Sequence, residues 1–107
     1  MLTTKKSIEN GTAVFALEGS LDTFTAPVLE EELKTVMDGL TDLTFDLAGL
    51  DYISSMGLRV ILSTQKIMNK QGKMKVTNVC ETVMEIFEIT GFSDILTIDN
   101  GNLPDRT

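Results

Sequence analysis

Apolar and polar residues follow each other in changing rhythms along this chain, and each change of rhythm marks an element. LTTKKSIENGTAVFALEG, residues 2 to 19, reads as two strands joined at Asn10-Gly11, a dipeptide suited to the positive φ angles of a type I′ hairpin turn. The second strand, TAVFALEG, is nearly continuous in apolar residues, the pattern of a strand inside a sheet and covered on both faces. The period then lengthens. In TFTAPVLEEELKTVMDG, Leu29, Leu33, Val36, Met37 and Leu40 recur at helical spacing, with Glu30, Glu31, Glu32 and Lys34 on the other faces. Pro27 suits the first turn, Thr25 the N-cap and Gly39 the end, and the glutamates complement the positive end of the helix dipole.

LTFDLAG, residues 43 to 49, returns to strand pattern, and a helix is expected from about Ser55 to Gln71. Its inner face carries Leu58, Ile61, Leu62, Gln65 and Met68, and Gly72 closes it. KMKVTNV supplies another strand, ETVMEIFEITG a helix with Val83, Ile86 and Phe87 inward, and DILTI a last short strand. The methionines and phenylalanines outside the 54–57 segment are read as core. The order predicts an α/β fold with a single mixed sheet of about four to five strands. An N-terminal hairpin opens it, parallel crossovers continue it, and about three to four helices pack on it, mainly on one face or unevenly on the two.

Composition narrows the function. A chain of 107 residues suits one domain, here 1–99, followed by a polar tail at 100–107 that is expected to fray. The net charge of −7 repels phosphate backbones and anionic lipid, which argues against nucleic acid as a partner. No apolar run approaches a membrane span, and MLTTKKSIENG lacks the apolar core of a secretion signal, so the expected location is the cytoplasm without membrane insertion. The lone Cys80 cannot form an internal disulfide. With no histidine there is no imidazole base for a hydrolytic triad, and neither common phosphate-cradling glycine loop is present. The acidic residues are dispersed, as on solvated faces. The expectation is a protein that is not an enzyme, with no catalytic residues, metal site or cofactor.

Candidate chemistry gathers in DYISSMGLRVIL, residues 51 to 62, where two hydroxyls and a glycine stand at the mouth of a helix. In parallel sheets, partners tend to meet the loops at the carboxyl ends of strands, and LAGLDYISSMG is expected to be such a loop. LDYISSMGLRVIL resembles the signature loop of STAS domains, the family named for sulfate transporters and anti-sigma-factor antagonists. FALEGSLDTFTAPVLEEEL is similar to that family's second strand, G-x-L-D turn and first helix. LTFDLAGLDYISSMGLRVIL is similar to its central strand, switch loop and second helix.

The resemblance implies a STAS fold and, in the bacterial antagonist branch, a phosphorylation switch. The unphosphorylated protein would bind an anti-sigma factor, commonly a histidine-kinase-like serine kinase, and release its sigma factor or other client. Phosphorylation of the loop serine would abolish binding, and a PP2C-type serine phosphatase would restore it. Position by position the acceptor falls on Ser55, with Ser54 as second choice. Many antagonists have Asp-Ser-Ser-Gly or Asp-Ser-Thr-Gly here, so Ser54 replaces an acid and Met56 a hydroxyl. A serine before a helix is also a preferred N-cap, and one hydroxyl can cap while the other is modified.

The candidate partner-binding set is Asp22, Thr23, Ser54, Ser55, Met56, Gly57 and Arg59; Asp22 and Thr23 resemble a partner-contacting edge of the family, while Met56 is a candidate as an adaptable apolar contact and Arg59 as a cation for the partner or a phosphoserine. Each has a plainer reading beside it. Asp22 can brace its turn, Met56 can fold onto the core, Gly57 can allow close packing, and Arg59 can be a solvated surface arginine. An alternative within the family is an accessory subunit of a membrane transport complex, using the same loop as a static docking surface.

Overall fold

A computed structural model describes residues 2–99. Five strands form one sheet in the order β1-β2-β3-β4-β5: β1 (Leu2–Glu9), β2 (Thr12–Leu21), β3 (Asp42–Ile53), β4 (Lys73–Thr77) and β5 (Ile98–Asp99). The β1–β2 pair is antiparallel and the other pairs are parallel. Three helices make the parallel crossovers: α1 (Ala26–Val36), α2 (Ser55–Gln71) and α3 (Glu81–Thr90). Asn10 and Gly11 both take positive φ, 51° and 81°, as the hairpin turn requires. The expected polar tail lies outside the described residues.

The sheet is covered on one face. Ala13, Leu43 and Met74 stand in register across β2, β3 and β4, as do Phe15, Phe45 and Val76, and all six are buried. β2 lies inside the sheet as expected, but its coverage on both faces is corrected: burial alternates along it, with Val14 and Glu18 exposed. Alanine and valine on the open face gave an apolar run without a second helical layer.

Four local expectations also change. Glu30, Glu31 and Glu32 lie beyond the first turn of α1, which holds no acidic residue, so they do not complement its dipole. α1 ends at Val36, three residues short of Gly39, with Met37 as C-cap. The last strand is two residues long because the chain keeps turning after Gly91 through a 3-10 segment, Phe92–Asp94. Gly72 does follow α2, but its φ of 175° is extended backbone. What requires glycine there is the Thr41 carbonyl, which a Cβ would overlap.

The largest difference is the length of β3. The strand was expected to end by Gly49 and a loop to follow, yet pairing with β2 continues to Leu21↔Ile53. A bulge makes this possible: after Ala16↔Asp46 the next pair is Glu18↔Gly49, so β3 absorbs an extra residue. Gly49 is needed at the crossing, because a Cβ would come within 2.7 Å of Glu18 Cγ. The Asp46 carboxylate accepts the Ala48 N–H and the Asn78 amide at the bulge. This shift returns Leu50 to the core, and a second one, where Gly19↔Leu50 is followed by Ser20↔Tyr52, does the same for Ile53.

Candidate functional site

Because β3 runs on to Ile53 and α2 begins at Ser55, the expected switch loop shrinks to a single linking residue, Ser54. Both backbone groups and the hydroxyl oxygen of that residue are engaged. Its N–H donates to the Leu21 carbonyl at 2.8 Å, its carbonyl accepts from Leu58 N–H at 2.8 Å, and its hydroxyl oxygen accepts from Gly57 N–H at 3.3 Å. Backbone angles of −93° and 174° complete an N-cap. Ser54→Ala is therefore expected to cost about 1 kcal/mol, a fall of roughly 4–8 °C in Tm for a domain of this size, read by thermal denaturation.

Ser55 differs from its neighbour. It is the first residue of α2, it is exposed, and its hydroxyl makes no hydrogen bond among the described residues. It stands where the first N–H groups of a helix lack intrahelical partners and the dipole is positive. Met56 is half-buried and packs against the core. Gly57 is buried between two strands: a Cβ would meet Leu21 Cγ and the Leu21 carbonyl oxygen at 2.8 Å and Ile53 Cγ1 at 2.9 Å. This contact fixes the start of α2 against the ends of β2 and β3. Arg59 is exposed one turn along and forms no salt bridge among the described residues.

Asp22 and Thr23 begin the turn that leaves β2, and the Ser54–Leu21 hydrogen bond brings this turn beside the start of α2. The Asp22 carboxylate accepts from the N–H groups of Phe24 and Thr25, both at 2.9 Å, and from the Thr25 hydroxyl at 3.1 Å. The Thr25 N–H is the main cause that holds its pKa below the usual carboxylate value, against an opposing push from desolvation. The Thr25 hydroxyl and the Phe24 N–H add to the lowering. Thr25 does not cap α1 with its side chain as expected: its hydroxyl accepts from Asp22 N–H at 2.8 Å and reaches the Ser20 carbonyl at 2.9 Å. Thr23 is exposed.

A lowered carboxylate pKa has a definite consequence for stability. Asp22 contributes most above its unfolded-chain value, and the contribution is lost as pH falls through the lower folded value. Asp22→Asn should accordingly melt below wild type near neutral pH, with the gap closing as melts are repeated toward about pH 2. A gap that stays constant with pH would show that the charge is not what braces the turn.

Sequence reasoning missed Phe24. Read as core with the other phenylalanines, it is 87% exposed, while Phe15, Phe45 and Phe87 are fully buried. Its position just ahead of a helix gave no periodic signal to distinguish it. Tyr52 and Val28, also exposed, lie near the same end of the sheet. A cavity of about 470 Å³ lies at the other end, where β3 and β4 begin, lined by Thr44, Gln65, Asn69 and Lys73 among others. Among the described residues no group of three or more Cys, Asp or Glu side chains is placed to hold a metal ion, and no helix is long and apolar enough to cross a membrane.

The STAS domain model matches residues 3–101. The chain belongs to the STAS domain family. An anti-sigma-B factor antagonist of Bacillus subtilis is 37% identical over 77% of this chain and 76% of its own length. An anti-sigma factor antagonist of Mycobacterium paratuberculosis has the same fold, with a TM-score of 0.85 at 23% identity, covering 95% of this chain and 88% of that one. So does the Bacillus cell fate determinant SpoIIAA in its phosphorylated form, with a TM-score of 0.73 at 17% identity and 92% coverage of each chain. Within this STAS domain, Ser54 and Ser55 occupy the junction between the central strand and the second helix, as the sequence resemblance implied.

Proposed function

We propose that this protein is an anti-sigma-factor antagonist of the cytoplasm, switched by phosphorylation of Ser55. Unphosphorylated, it binds an anti-sigma factor that is also a histidine-kinase-like serine kinase, and so frees that factor's sigma factor or other client. Phosphate on Ser55 ends the complex, and a PP2C-type phosphatase restores it. The protein is then a substrate and a binding module, not a catalyst. The observation that carries this reading is the contrast between the two serines: Ser54 is committed to capping, whereas Ser55 is exposed and its hydroxyl makes no hydrogen bond among the described residues. The B. subtilis relative, named as an antagonist and matched over most of both chains, supports the role.

The position suits a switch that leaves the fold intact. A phosphate at the N-terminal end of α2 is favoured by the helix dipole and free N–H groups by up to ~2 kcal/mol, so the domain has no reason to unfold. A docked partner meets about −1.5 to −2 added charges on a protein already at −7. A partner carboxylate ~6 Å away, at an effective dielectric of ~20, would be repelled by roughly 5 kcal/mol before salt screening. Interfacial repulsion outweighs the local stabilisation.

The test is phosphosite mapping after incubation with the kinase anti-sigma factor of the same organism and ATP. One phosphate on Ser55 is expected, still formed in Ser54→Ala and absent from Ser55→Ala. Stoichiometric modification at another residue, or of Ser55 without loss of binding, would refute the proposal.

A further inference from the structure

We infer that Phe24 is the apolar anchor of the partner interface, seated on the anti-sigma factor in an apolar pocket with a basic rim. This rests on the reading of Ser55 as the gate and adds the residue that holds the partner while the gate is open. Phe24 immediately precedes the N-cap of α1, where an apolar side chain ordinarily folds back as a staple onto the fourth helical residue, here Leu29. Leu29 is fully buried in the core, yet Phe24 is 87% exposed, so that local role is unfilled. The turn that carries it is held by the Asp22 carboxylate and the Thr25 hydroxyl. With the backbone of the turn pinned, only the ring's own side-chain torsions remain to be ordered on binding, a low cost for a large apolar surface, which is the character of an interface hot spot.

Its surroundings indicate what covers it. Leu21 pairs with Ile53 and accepts the Ser54 N–H, so the Phe24 turn and the Ser55 helix start leave neighbouring strands side by side. A partner that senses charge on Ser55 therefore docks against this end of the sheet. Exposed Val28 lies one turn into α1, and Tyr52 on β3 stands opposite Ser20. Of the charged neighbours, Asp22 is kept ionised by its hydrogen bonds and Glu30 is exposed on α1, whereas Glu31 is paired with Lys34 at 3.5 Å and the exposed Arg59 lies on the α2 side, beyond Ser55. Apolar contact flanked by Asp22 and Glu30 calls for a pocket that carries lysine or arginine on the rim facing the α1 turn.

The experiment is titration calorimetry of the unphosphorylated full chain with the kinase anti-sigma factor, comparing wild type, Phe24→Ala, Phe24→Tyr and Ser55→Asp. Phe24→Ala should bind at least about 30-fold more weakly with an unchanged Tm, because the ring makes little contact with its own fold, and Phe24→Tyr should restore most of the affinity. Loss of binding by Ser55→Asp alone, with Phe24→Ala binding like wild type, overturns the inference and leaves the Ser55 gate standing. Loss by Phe24→Ala alone supports the anchor and refutes the gate. A wild-type chain that self-associates through Phe24, with partner affinity indifferent to the ring, also overturns it.

Discussion

Ser55→Asp is expected to lose the anti-sigma factor, and Ser55→Ala to keep it. Alanine removes only a hydroxyl with no hydrogen-bond partner among the described residues, from an exposed position in the first turn of α2. Aspartate there puts a full negative charge at the proposed interface while satisfying the helix end. Phosphoserine carries more charge and bulk than aspartate, so its effect should be larger. Even half of the 5 kcal/mol estimated for phosphate corresponds to roughly a 70-fold loss of affinity. A pull-down with the three forms, followed by quantitative binding, reads the difference. Equal capture of Ser55→Asp and wild type would mean that charge at this position is not sensed.

The second large effect concerns stability. Gly72→Ala is expected to destabilise the domain by about 3 kcal/mol, lowering Tm by on the order of 10–20 °C. The reason is steric, since φ at Gly72 is open to any residue. An added Cβ would overlap the Thr41 carbonyl, which accepts Lys73 N–H at 2.8 Å. Thr41 in turn donates its N–H to the Gly11 carbonyl at 2.8 Å. One methyl group therefore disturbs the joint of the hairpin, β3 and β4. Gly39 provides the contrast: its φ is +78° and, among the described residues, no heavy atom outside its chain neighbours lies within 4 Å of where a Cβ would sit. Gly39→Ala should cost only the left-handed conformation, about 1 kcal/mol. Thermal melts that rank the two the other way would contradict the steric account.

Much of this architecture was legible in the residues. Asn10-Gly11 can take the positive φ angles of a tight turn at low cost, and the helical spacing of Leu58, Ile61 and Met68 located α2 to its boundaries. Local rules sufficed where the cause was local. They failed where another segment decided the outcome. No residue within LAGLDYI reveals that Glu18 will lie across Gly49, yet the bulge that this glycine permits lets pairing with β2 run on through four more residues of what was expected to be a loop. Thr25 had the right identity for a cap, but the Asp22 N–H and the Ser20 carbonyl claimed its hydroxyl. Gly72 was correctly placed at a helix end for a reason its own φ does not supply.

The candidate site divides in the same way. That a hydroxyl would stand at the start of α2 followed from the pattern, but assigning Ser54 to the cap and leaving Ser55 open required the Gly57 N–H to be located. The anchor was invisible. A phenylalanine between two threonines ahead of a helix has the composition of a hydrophobic staple, and only its exposure distinguishes it from one.

The measurement that bears most directly on the account is calorimetric titration of the anti-sigma factor with this protein, singly phosphorylated on Ser55 and unmodified, together with thermal melts of both forms. Phosphorylation is expected to lower the affinity by at least about a hundredfold, with a Tm equal to or above that of the unmodified form. Undiminished affinity, or an affinity lost together with a collapse of Tm, would contradict it.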